Sequence, residues 1–129
     1  MSLAPEIIES LLQGRTLFNE GKFFEAHEIW EEKWLDSEGD ERHLLQGLIQ
    51  VAAGFYKLQT GMPTGTVKLL QKGAGHLRAV PPDMYGVQLS ELLEAVDTWI
   101  TYSQTMVNEF RTNYDKALLP ALEIKDLLH

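Results

Sequence analysis

Apolar residues recur along this chain at helical spacing, and nowhere at the alternation of a strand. Pro5 suits a first helical turn, and Ile7, Ile8, Leu11, Leu12 and Phe18 follow until Gly21, placed where a left-handed residue would close the helix. This predicts a helix over residues 5–20. A second runs from Phe23 to about Asp36, ahead of the turn-like segment Ser37 to Asp40, and so short a connection makes the pair an antiparallel hairpin. Asp40 can cap a third helix, which continues through Leu44, Leu45, Leu48, Ile49, Val51, Ala52, Phe55 and Leu58 to Gly61. At about 100° per residue its apolar positions cover more than half the circumference, so it is expected to be central. Its remaining arc carries Gln46, Gln50 and Lys57 beside Gly47 and Gly54, and two glycines on one face let another backbone come close. A fourth helix over 64–79 has Val67, Leu70, Ala74 and Leu77 on one face, although Gly73 and Gly75 weaken it. A fifth, over 87–112, repeats Leu89, Leu92, Leu93, Val96, Trp99, Ile100, Met106, Val107 and Phe110. Pro120 breaks the tail, 113–129, which is expected to be extended with a last turn at its end.

The expected fold is all-α: a compact irregular bundle of about five helices built from antiparallel helical hairpins, with an extended C-terminal tail. Helices one and two, then three and four, form successive hairpins some 40 residues apart, a loose echo of tetratricopeptide-type repeats without a shared residue pattern.

The 129 residues, 44% of them hydrophobic, suit one soluble domain. There is no cysteine, which excludes disulfides, thiolate metal sites and a cysteine nucleophile, and fits a reducing compartment. With 11 basic and 19 acidic residues the net charge is -8, so a phosphate backbone would be repelled; no local basic cluster stands out, and no nucleic-acid partner is expected. The longest mostly apolar stretch, Leu48 to Leu58, is broken by Gln50 and Lys57 and falls short of the roughly 20 residues that cross a bilayer. The N-terminus lacks the basic start and apolar core of a secretion signal. A cytoplasmic protein without a membrane partner is the expectation.

Chemistry concentrates in Ala26 to Trp34, AHEIWEEKW. On a helical wheel Trp30, Trp34 and Ala26 share the side of Phe23 and read as core, whereas Glu25, Glu28 and Glu32 gather opposite and read as a solvated face. His27 and Glu31 differ: one turn apart, they lie inside the apolar arc, so each needs a partner. Gln46 and Gln50, with Arg42 one turn before Gln46, are expected to face them across the contact between helices two and three. The closed alternative is a buried network of His27, Glu31, Gln46 and Gln50 that fixes helix register. HEIWE also resembles the zinc motif H-E-x-x-H with Glu31 replacing the second histidine, so His27 and Glu31 are candidate ligands of a divalent metal. They supply two ligands where three or four are needed. His43 and His76 join only if the fold brings them near, and each reads more simply as a surface or helix-end histidine. GMPTGTVK lacks the order of a phosphate loop and reads as an interhelical turn; KGAGH has no preceding strand; no serine sits in a G-x-S-x-G elbow.

The string FNEGKFFEAHEIWEEKW, followed by Glu41-Arg42 and QGLIQVAAGFYKLQTG, resembles the bacterial and archaeal family known as domain of unknown function 309. The resemblance covers about residues 10–80 and rests on Ala26, His27, Glu28, Glu31, Trp34, Gln46, Gly47, Leu48, Ile49 and Gln50. Near the end of helix three, where some members carry histidine, this chain has Tyr56 and Lys57. The resemblance implies a compact irregular helical bundle and no activity, and it groups Glu28 with His27, Glu31, Gln46 and Gln50, against the wheel. Two functions compete. One is a binding or scaffold domain for a small-molecule or protein partner, a second copy of the chain in a homo-oligomer among them. The other is a metal-dependent hydrolase with His27 and Glu31 as ligands and Glu28 as base.

Overall fold

The computed structural model describes residues 5–125; the last turn expected at the end of the tail falls outside them. Five helices follow one another: α1 (Pro5–Asn19), α2 (Phe23–Trp34), α3 (Gly39–Gln59), α4 (Pro63–Arg78) and α5 (Leu89–Asn108). Short 3-10 turns lie at Met84–Gly86 and Lys116–Leu118. Among the described residues there is no strand, and one antiparallel bridge joins Val87 to Ile124. The all-α expectation holds, with an extended tail. No helix is long and apolar enough to cross a membrane among the described residues.

The helix ends show what stops each element. α2 closes at Trp34, short of Asp36, where an Arg42 guanidinium nitrogen donates to the carbonyls of Trp34 at 3.2 Å and Ser37 at 3.3 Å. Asp40 does not cap α3. Extended Glu38 and left-handed Gly39 open the helix, and Asp40 and Glu41 sit in its first turn, beside the positive end of the helix dipole. α5 starts at Leu89 because the preceding residues form the 3-10 turn and the bridge to Ile124. It stops at Asn108, since Phe110 has φ +54° and cannot continue a right-handed helix.

Helices one and two, and three and four, are joined by the same turn. Lys22 N donates to Leu17 O at 2.8 Å and Gly21 N to Phe18 O at 3.0 Å; 40 residues on, Met62 N donates to Lys57 O at 2.9 Å and Gly61 N to Leu58 O at 3.1 Å. Gly21 and Gly61 supply the left-handed residue, at φ +78° and +76°. The offset persists inside the helices: a Cβ at Gly14 would strike Trp30, and one at Gly54 would press on Leu70. The two hairpins are therefore structural repeats. α5 ends in a third copy of the turn, with Arg111 N on Met106 O at 2.9 Å and Phe110 in the glycine position.

Each helix packs on the next, and α3 is the hub. Phe55 from α3 meets Phe18, Phe23 and Trp99, with ring centroids 6.1, 5.4 and 6.0 Å away. The crossing of α3 and α4 is close: Gly73 faces Gly47, and a Cβ there would lie 2.9 Å from the Gly47 carbonyl oxygen. That contact explains why glycines interrupt both helices. The tail returns to the start of the fold, where Asn19 donates to Leu122 O at 3.0 Å and accepts from Leu122 N at 2.7 Å.

Candidate functional site

Between Leu44 and Leu58 every residue of α3 is buried except Gln46, Gln50, Ala53, Tyr56 and Lys57. Gln46, Gln50, Ala53 and Lys57 follow at intervals of three or four, so with exposed His43 they form one stripe. α2 packs on α3, as does α4, and the stripe is the accessible seam of the central helix.

On the α2 side, Phe24 packs against both Tyr56 and His27, with centroids 5.2 and 5.5 Å apart. His27 Nδ1 donates to Phe24 O at 3.4 Å, and Nε2 lies 3.5 Å from the Glu31 carboxylate. With Nδ1 committed to a carbonyl, Nε2 can donate to Glu31 only in the imidazolium form. The His27 side chain is 23% exposed, but that of Glu31 is 54% exposed. This corrects the buried-pair expectation for Glu31: about 80° around α2 from the Phe23 line, its carboxylate reaches past the helix flank into solvent. Glu28, farther round, is exposed and has no hydrogen-bond partner among the described residues, as the wheel expected.

Trp30 is core, its indole N–H donating to Ser10 O at 3.1 Å. Trp34 is half-buried, with the Arg42 guanidinium carbon 3.8 Å from its ring centroid. Arg42 thus lays its guanidinium plane over Trp34 while one of its nitrogens caps the end of α2, a planar stacking that the ammonium of lysine would not reproduce.

On the α4 side, the His43 and His76 rings stack with centroids 5.3 Å apart, and their Nδ1 atoms are 3.1 Å apart. One must donate and the other accept. Burial, then the charge of His43, holds the His76 pKa below its ordinary value. The pair borders a cleft of about 320 Å³ that Gln50, Gln71 and Lys72 also line; Gly75 opens it, since a Cβ there would meet nothing within 4 Å. A larger hollow, about 550 Å³, lies between the α1–α2 turn and the tail, and none of the motif residues line it.

Three buried side-chain polar atoms have no hydrogen-bond partner among the described residues: Trp34 Nε1, Gln50 Oε1 and Ser103 Oγ. Two of these three belong to residues of the opening motifs. Among the described residues, no hydrogen bond links His27 or Glu31 to Gln46 or Gln50; Gln50 instead borders the α4 cleft. Nor do three histidine, aspartate or glutamate side chains converge on a common point among those residues. The divalent-metal reading keeps only two donors, His27 and Glu31, with Glu28 turned to solvent.

The His43–His76 pair was not visible in local spacing, because 33 residues separate its members. One sequence signal marks this region. From Arg42 to Pro82 there is no aspartate or glutamate, while Arg42, Lys57, Lys68, Lys72 and Arg78 are present; all 19 acids lie elsewhere. The charge is segregated: beyond Glu41 the α3–α4 hairpin carries no acid, which the overall counts concealed.

The chain is similar to an uncharacterised protein of Aquifex aeolicus (strain VF5), 27% identical over 85 residues. Those residues are 65% of this chain and 26% of the relative, so the similarity spans about a quarter of that protein's length. The resemblance carried by the A-H-E-x-x-E-x-x-W and Q-G-L-I-Q motifs is met by a family match: residues 11–69, from α1 to the middle of α4, match the domain of unknown function DUF309.

Proposed function

We propose that the chain is a small helical binding domain, acting in the cytoplasm, whose ligand lies along the seam of α3 between α2 and α4. The observation that carries this reading is Gln50. Its Oε1 is buried without a partner, in a residue that borders an open cleft. A buried acceptor left unpaired costs about 1–3 kcal/mol, and a group kept at that cost has a use when a ligand or water supplies the missing donor. Trp34 Nε1, on the α2 side, is likewise buried and unpaired. His27 and Gln46 add polar groups along the seam, and Phe24 and Tyr56 give it an aromatic edge.

Gln50→Met tests the reading, because methionine keeps the volume and removes the unpaired amide. A binding role predicts that melting temperature is kept or raised. A fall of about 3–5 °C, corresponding to roughly 1 kcal/mol, would make the amide structural and overturn the proposal. A thermal-shift screen of small polar compounds should then yield ligands that stabilise the wild type and not this variant.

A further inference from the structure

The α4 end of the seam differs chemically from the rest. Lys72, His43 and His76 border one cleft with the amides of Gln50 and Gln71, and no carboxylate lines it among the described residues. The wider surroundings match, since α3 and α4 beyond Glu41 contain no acid in a chain of net charge -8. Arg78 is occupied elsewhere: one guanidinium nitrogen donates to both oxygens of Asp97 at 2.8 Å. Lys72 therefore brings a cation to the cleft that no carboxylate among the lining residues neutralises, beside two imidazoles that share a hydrogen bond.

Resting on the seam as the binding surface, we propose that this cleft binds a small phosphoryl anion. Lys72 supplies the charge, and the imidazole and amide N–H groups of His43, His76, Gln50 and Gln71 supply donors. The histidine pair adds selectivity: with one Nδ1 donating to the other, the donating ring in its neutral form keeps Nε2 as an acceptor, which requires a ligand that also donates. Hydrogen phosphate carries an O–H. Sulfate has none at neutral pH, so the acceptor would face an oxygen and repel it. The open space over Gly75 admits the anion or a substituent on it. Binding also favours protonation of the histidine pair, reversing the effect of burial and mutual repulsion on His76.

The test follows the imidazole Cε1–H resonances of the whole chain by NMR, assigned with His43→Gln and His76→Gln. Inorganic phosphate, glycerol 3-phosphate and sodium sulfate are titrated at pH 7 and constant ionic strength. The expected result is saturable movement of both resonances with inorganic phosphate, a higher His76 pKa in its presence, and at least tenfold weaker binding in Lys72→Met. Lys72 is exposed, so the variant is expected to fold. Saturation with glycerol 3-phosphate too, whose phosphoryl dianion carries no O–H at pH 7, would place the donated O–H on the glycerol, and saturation with inorganic phosphate alone would make hydrogen phosphate itself the ligand. Equal response to sulfate, or no saturable response to either phosphate, overturns the proposal. That failure would leave the Gln50→Met result untouched, so the broader binding reading stands or falls separately.

Discussion

The hydroxyl of Tyr85 donates to the Glu41 carboxylate, tying the α4–α5 connection to the first turn of α3. That bond, with lesser help from burial, raises the Tyr85 pKa from 10.0 to about 12. A raised acid pKa favours the neutral form in the folded chain, so the stabilisation is complete below pH 10 and is lost as pH climbs through 12. In urea unfolding, the wild type should lose more stability between those limits than Tyr85→Phe; parallel losses would contradict the assignment. At this scale the sequence was informative about single side chains and silent about pairings between helices. The wheel correctly placed Trp30 in the core and Glu28 in solvent. It misjudged Glu31, because a wheel shows which arc a carboxylate leaves from but not how far it reaches. His43 and His76 are joined only by the α3–α4 crossing, which depends on Gly47 and Gly73.

Hydrophobic period and glycine punctuation made all five helices legible, whereas boundaries shifted where a left-handed residue, a turn or a side chain from another element intervened. Arg42 at the end of α2 is the clearest case. The 40-residue echo was visible as spacing but lacked a residue pattern, since the turn is specified by backbone hydrogen bonds and one left-handed residue, with variable neighbours. The third copy of that turn departs from the rule. Phe110 holds φ +54° with its ring 97% exposed, so the side chain gains little from packing while the backbone bears strain of roughly 1–2 kcal/mol. Glycine relieves the strain but loses more entropy on folding, about 0.5–1 kcal/mol. Phe110→Gly should therefore raise stability by up to about 1 kcal/mol, measured by urea or thermal unfolding. A clear loss would mean that the ring is held by contacts in another molecule or another state.

Across the molecule, what could not be read from local pattern is long-range: charge segregation onto the α3–α4 hairpin, and the return of the tail to the first turn. Stacked helical hairpins ordinarily behave as a linear array, in which terminal units open before the middle. Here the two bonds between Asn19 and Leu122 span 103 residues and fasten the last segment to the first hairpin. Among the described residues the tail is thus fastened back onto the first hairpin. Opening of the tail should expose the α1–α2 turn, and opening of that turn should release the tail. Hydrogen exchange should accordingly report matched protection at the end of α1 and at Leu122, lost together in Asn19→Ala. Independent loss at one site would make this an open array after all. Where repeat proteins commonly fray, this fold is latched, and its stability is shared between the first hairpin and the tail.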